Sequence, residues 1–376
     1  MFRRILSITV KEFRQIFRDK SSLLIIFLLP VALLVLFGYA ITTDVNNVKI
    51  GVFDKDNSAM SRDFISSLNA SSYFTVTEQI RKDSETNELL NTGKIYTALV
   101  IPLNFEKDLQ SEKEVKIQYI VDGVDASTGG IVQNYLTAAT GQFNNKLTQE
   151  ELSLKGIKSN VPLNVETQFW YNKSLDSTLF FIPGLMAMIL IIISVILTSI
   201  SLVREKEFST IEQIRVSPVT PLQLILGKII PYLILSLLIA ASIIIMGYIL
   251  FGVEVKGSYA VLFLGTVCYL LATLSMGVFV STVADSQQVA FQISQLISQL
   301  PTIILSGFIF PIESMPYLIQ LLSNITPSKY FIVILRNILI KGTDISVFYE
   351  QIVYLIIFAG IFISISAIRI KREEVG

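Results

Sequence analysis

The chain has no histidine, a single cysteine (Cys268) and a single tryptophan, and only 16% of its 376 residues are charged. Each shortage closes off a class of chemistry. Without histidine there is no imidazole to move protons near neutral pH or to bind zinc. One cysteine cannot form an internal disulfide, and Cys268 sits within an apolar run. The 30 Lys and Arg are matched by 30 Asp and Glu, so overall charge offers nothing to a nucleic acid. No G-x-x-x-x-G-K-[ST] run occurs, so the chain has no phosphate-cradling loop of that kind. Apolar side chains are abundant instead: 52% of residues are hydrophobic and mean hydropathy is +0.62, too greasy for a soluble chain of this length.

A bilayer core of about 30 Å takes about 20 apolar residues as helix. Six stretches meet that length, at 21–43, 178–203, 222–251, 258–283, 287–310 and 347–368. Lysine and arginine then set the orientation. The amino end carries Arg3, Arg4, Lys11, Arg14, Arg18 and Lys20, the segment after the second span carries Arg204, Lys206 and Arg215, and the tail carries Arg369, Lys371 and Arg372. Six spans put all of these on one side, expected to be the cytoplasm, with residues 44–176 outside.

Residues 44–176 break from the apolar pattern. Short strand-like runs such as "VKIGVFD", "YFTVTEQ", "IYTALVIP" and "VKIQYIVDG" alternate with helical ones, ending in a long helix over about 126–154. That alternation predicts an α/β domain large enough to bury its own core. The fold class expected is therefore a polytopic α-helical membrane protein of six transmembrane helices, with an α/β extracytoplasmic domain inserted between helices 1 and 2. Asp122 and Asp125 in "VDGVD" read as a strand end and turn, since no other acidic ligands stand at loop spacing.

Ahead of the first span, residues 1–20 place Phe2, Ile5, Leu6, Phe13, Ile16 and Phe17 at helical spacing among basic residues. This suits a helix lying in the headgroup plane. The segment 204–221, "REKEFSTIEQIRVSPVTP", is a polar island between two greasy runs. Ser209 and Glu212 fit a capping box, Ser217-Pro218 ends the short helix, and Thr220-Pro221 caps the next one with proline at its first position. A capped helix showing Phe208, Ile211 and Ile214 on one face, with no domain of its own to cover, fits a docking surface for a partner as well as an ordinary positively charged inside loop.

"REKEFSTIEQIRVSPVTPLQLILGKIIPY" resembles the signature of ABC-2 type transporter permeases, the membrane subunits of ATP-binding-cassette exporters. So do "VDGVDASTGG", "WYNKSLDSTLFFIPGLMAMIL" and "LSGFIFPIESMP". The resemblance runs over nearly the whole chain, in order. It implies a dimer with a second permease copy or paralogue, and separate ATPase subunits that bind the ATP and magnesium, so that this chain has no cofactor or metal of its own. It implies that residues 1–20 form a connecting helix and that the island forms the coupling helix, with Glu205, Glu207, Phe208, Ile211, Glu212 and Arg215 as ATPase contacts. It further implies a bacterial plasma (inner) membrane location, both termini cytoplasmic, with spans 2–6 over 177–369 and a tail at 370–376. A periplasmic adaptor and an outer-membrane channel are further partners of such systems.

Within the fifth expected span, Gln288, Gln292, Gln295 and Gln299 recur at offsets that fall in one stripe. Amides at membrane depth face protein or a water-filled cavity; interhelical bonding and a substrate path both fit. Few charges lie inside the spans, which disfavours an ion antiporter and suits an amphiphilic or lipophilic cargo. Gly307, Pro311 and Pro316 break the helix after this span, and Glu313 is expected at its outer mouth. Export of a polymer, a peptide or sodium remains open, as does a ligand sensor using the outer domain. An intramembrane enzyme lacks the residues it needs.

Overall fold

The computed structural model describes residues 2–41, 48–71, 74–111, 113–122, 126–154, 171, 177–208 and 219–375. The first part runs α1 (Phe2–Arg18), α2 (Lys20–Ile41), β1 (Val48–Asp54), α3 (Ala59–Ala70), β2 (Phe74–Gln79) and α4 (Asp83–Asn91). It continues through β3 (Thr97–Ile101), α5 (Phe105–Gln110), β4 (Gln118–Val121) and α6 (Ala126–Leu154). The remainder is helical: α7 (Ser177–Glu207), α8 (Pro221–Phe251), α9 (Tyr259–Val283), α10 (Gln287–Leu305), α11 (Tyr317–Ser323), α12 (Pro327–Arg336) and α13 (Tyr349–Val375). The chain divides into two compact units, residues 1–42 with 168–376, and residues 43–167.

In the larger unit, five helices of the described residues are long and apolar enough to cross a membrane: α2, α7, α8, α9 and α13. Residues 317–341 form a pair bent by 88°, which makes a sixth if the pair is one broken span. The expected span at 287–310 is not among the five. It is realised as α10, 19 residues long, and five glutamines in that helix lower its apolarity. Prolines 30, 183, 231 and 301 sit inside α2, α7, α8 and α10, tolerated where neighbouring helices and hydroxyls satisfy the freed carbonyls.

Apolar burial cannot drive helices together inside lipid, so close packing and hydroxyl bonds have to. α7 is the hub. Its Ser194 donates to Thr273 Oγ1 of α9 at 2.8 Å, and Thr198 donates to Leu274 O at 3.1 Å. Ser199 shares a 2.7 Å bond with Ser294 of α10. Tyr269, fully buried on α9, donates to Ala187 O of α7 at 2.8 Å and lies 3.0 Å from Ser328 of α12. Gly277 of α9 permits the approach: a Cβ there would come within 2.5 Å of Val195 O on α7.

The smaller unit holds a four-stranded sheet in the order β2-β1-β3-β4. β1 is parallel to β2 and β3, and β3 is antiparallel to β4. The strands lie within the stretches that read as strands in the sequence, and α6 covers 126–154. The central strand is buried through Ile50, Gly51 and Val52, as a parallel strand covered on both faces must be. One face packs Val48, Ile50, Phe64, Leu68 and Phe143, with Phe64 and Phe143 edge to face at 4.8 Å. Beyond β1, hydrogen bonds from Ser58 and then from the Glu106 backbone N–H hold the Asp56 carboxyl below its usual range. Asp122 follows β4, while Asp125 of "VDGVD" lies outside the described residues.

Gly277→Ala should cost about 1–3 kcal/mol, because backbone on α7 cannot yield to the added methyl as a flexible side chain could. Gly360→Ala, with nothing within 4 Å of the new Cβ, serves as control and should leave the thermal midpoint in detergent unchanged or slightly raised.

Candidate functional site

The junction between α7 and α8 concentrates charge at the end of two apolar helices. α7 ends in Arg204, Glu205, Lys206 and Glu207. α8 opens on a complete capping box: the Thr220 hydroxyl accepts from Gln223 N at 3.4 Å, and the Gln223 side chain accepts from Thr220 N at 3.2 Å, with Pro221 at the first turn. The connecting residues 209–218 lie outside the described residues. Ile211, Glu212 and Arg215, and the expected cap at Ser209, fall there.

Glu205 turns inward. It is 5% exposed, and its Oε1 lies 2.5 Å from Lys11 Nζ of α1 and 3.2 Å from Lys228 Nζ of α8. A surface contact to a partner was expected of it; burial against two lysines gives it an internal role. Lys228 is 2% exposed and sits at the centre of the group. Its ammonium is 3.1 Å from Glu12 Oε1 and donates to Ser201 O at 3.2 Å and Ser201 Oγ at 3.1 Å. Glu12, also 2% exposed, accepts from Ser201 at 3.2 Å and from the Tyr232 hydroxyl at 3.3 Å. Two carboxylates and two ammoniums thus join α1, α7 and α8 with no net charge. Glu12, Glu205 and Lys228 would each cost several kcal/mol to bury alone, and pairing plus hydroxyl donors offset that penalty, while Lys11 reaches in from a half-exposed position.

α1 is held to α8 by more than charge. Thr9 Oγ1 donates to Gly227 O at 3.1 Å, and a Cβ at Gly227 would lie 2.8 Å from Ile8 Cβ, so only glycine permits this approach. The side of α1 that the protein buries is Thr9 and Glu12, while Leu6, Val10 and Phe17 are exposed. The helix therefore has a protein-facing polar edge in addition to its apolar one.

Glu207 ties the same end of α7 to α10. Its Oε1 accepts from the Gln287 backbone N–H at 2.7 Å and its other oxygen from the Gln287 side chain. Ser286 caps Val289 N, so two orphan donors of α10 are satisfied, and a carboxylate stands where the helix dipole favours one. Phe208 is 65% exposed, with the Arg204 guanidinium 5.8 Å from its ring. It is the one expected contact among the described residues that faces outward from this junction without a bond to another helix.

On α10, Ala290, Ser294, Ser298 and Thr302 form the buried edge. Gln288, Gln292 and Gln295 are exposed and Gln299 is half-buried, with Gln295 Nε2 3.4 Å from Gln299 Oε1. Along this stretch Ser294, and not Gln288, Gln292, Gln295 or Gln299, bonds α10 to α7. Glu313 is exposed in a short turn, Ile312–Ser314, beyond Gly307 and Pro311.

Glu12 and Lys228 were not selected as site residues from the sequence, although a signal was present. Lys228 is the only charge in α8 and Glu12 the only carboxylate in α1. A lone lysine in a greasy helix demands an anion, and α1 has a single one to offer.

The chain is similar to a family described as ABC-2 family transporter protein, which matches residues 20–368. It is 32% identical over 373 residues to the probable multidrug ABC transporter permease YbhS of Escherichia coli strain K12, covering 99% of this chain and 98% of that protein. It is 30% identical over 352 residues to the probable multidrug ABC transporter permease YbhR of the same organism, covering 94% of each. It is 29% identical over 380 residues to that organism's inner membrane transport permease YhhJ, covering 98% and 97%.

Lys228→Met leaves two carboxylates buried around an uncharged side chain and should destabilise the protein by about 3–5 kcal/mol, read as a lowered unfolding midpoint in detergent. Adding Glu12→Gln removes one stranded charge and should restore part of the loss. A Lys228→Met protein as stable as the unmodified one would show that the ion group does not hold α1 in place.

Proposed function

The chain belongs to the ABC-2 transporter family, and from that premise we propose that it is the permease of an exporter driven by ATP hydrolysis in a separate subunit docked at 204–221. The observation that carries this reading is the bonding around that junction. The first residues of the segment include Glu205, locked to α1 and α8 through Lys11 and Lys228, and Glu207, locked to α10. A push delivered to Glu205 and Glu207 would be passed to α1, α7, α8 and α10 together. Phe208 offers the exposed apolar contact, and we assign Ile211, Glu212 and Arg215 to the same docking surface. ATP and magnesium belong to the partner; this chain transports and does not catalyse.

The positive-inside rule places the junction and both termini in the cytoplasm and residues 44–176 outside, in a bacterial inner membrane. Two permease copies, or this chain and a paralogue, would enclose the cargo path. The exposed edge of α10, with Gln288, Gln292, Gln295 and Phe291, supplies both amide and apolar contacts along it. That mixture favours an amphiphilic or lipophilic small molecule over a polymer, a peptide or sodium. Glu313 would stand at the outer mouth. A periplasmic adaptor and an outer-membrane channel would extend the route through a second membrane.

When the chain is expressed with its candidate ATPase, the two should co-purify, and a photo-crosslinker at Phe208 should label the ATPase. Absence of both signals would leave a sensor role for the outer domain as the better account. In vesicles carrying the complex, Gln292→Leu with Gln295→Leu should lower ATP-dependent dye efflux at least severalfold while co-purification persists. Unchanged efflux would remove α10 from the path.

A further inference from the structure

Beside the ion group, α1, α2 and α7 enclose a cleft that ATP coupling does not require. Its mouth, about 1030 Å³, is edged by Lys11, Arg14, Arg18 and Arg204, with Asp19 the single carboxylate in the lining. Its inner reach, about 320 Å³, is floored by Ile16, Leu23, Ile26, Ile196, Leu197 and Ile200. Gln15, Asp19 and Arg204 border both spaces, so the two adjoin across these side chains, the outer part of the cleft cationic and the inner branched-aliphatic. Lys11 is engaged by Glu205. Arg14 and Arg18 make no ion pair among the described residues.

Forked guanidinium donors match phosphate oxygens in pairs. A free phosphate would occupy the mouth and leave the aliphatic floor in water. A neutral lipid would cover the floor and leave the arginines without counter-charge. A molecule with an anionic head joined to an alkyl chain satisfies both ends, and α1 has the basic amphipathic character of a helix held at a bilayer surface.

We propose that this cleft seats one anionic phospholipid from the leaflet that α1 lies against. Its phosphate is held by Arg14, Arg18 and Arg204, and one acyl chain lies along Ile16, Ile196 and Ile200. Ser201 and Tyr232 also line the inner reach and hydrogen-bond to the Lys228–Glu12 pair, so the seated chain abuts the ion group that fixes α1. The inference needs only membrane insertion; it stands or falls independently of ATP coupling.

The full chain, purified in neutral detergent, is titrated with phosphatidylglycerol, phosphatidylcholine and inorganic phosphate and read by native mass spectrometry. One phosphatidylglycerol per chain should bind about tenfold or more tightly than phosphatidylcholine, and excess phosphate should not displace it. Arg14→Gln, Arg18→Gln and Arg204→Gln together should abolish the preference while phosphatidylcholine binding persists. Equal affinity for the two lipids, displacement by phosphate alone, or a preference retained in the triple variant would overturn the proposal. The first two comparisons use the unmodified protein and decide the matter even if the triple variant does not fold.

Discussion

A lysine ammonium in a helix as apolar as α8 cannot stay charged in isolation; it must reach water or find an anion. Lys228 finds two, Glu12 and Glu205, each on a different helix. Those two contacts determine where α1 lies, how the end of α7 is turned and how the beginning of α8 is anchored. Packing at Gly227 and the capping box at Thr220 lie at the same end of α8. An apolar contact of similar size would hold these helices with comparable strength, but it would not specify which turn of α1 meets which turn of α8. Opposite charges on single positions do.

The surroundings of that group give it a mechanical setting. Two residues beyond Glu205, Glu207 grips the first turn of α10. α10 in turn bonds α7 through Ser199 and Ser294 and leaves Gln288, Gln292 and Gln295 exposed. The junction is thus connected by short, directional bonds to the helix that carries the polar edge. Bonds at the charged end of α7 and, separately, further along it thus tie the same two helices together.

The sequence made the long apolar helices readable because each carries a run of side chains that water would reject. The strands of the smaller unit were readable because apolar runs of strand length alternate with turn residues. α10 was readable as a helix from its run at 287–310, and the pair at 317–341 as short re-entrant or interfacial helices; less readable was whether each counts as a span, since glutamines dilute the apolar signal of α10 and the bend of the pair depends on packing. Thr220 and Pro221 announced the start of α8 through local chemistry alone. Glu205 was legible as a charge beside a polar island, yet its direction was not, since that depends on Lys11 and Lys228, 194 and 23 residues away along the chain. Local pattern identifies a helix end; only the fold says which way a side chain at that end is aimed.

The hydroxyls joining α7 to α9 and α10 have a second acceptor close by. Ser194 also donates toward Leu190 O, Thr198 toward Ser194 O, and Ser199 toward Ile196 O, all within their own helix. When two helices slide, each hydroxyl can swing to its own backbone before meeting its next neighbour, so no polar atom is stranded in hydrocarbon at the midpoint. A seam of this kind behaves like a ratchet with shallow teeth: it defines register at rest, yet it can be re-seated one notch along at small cost.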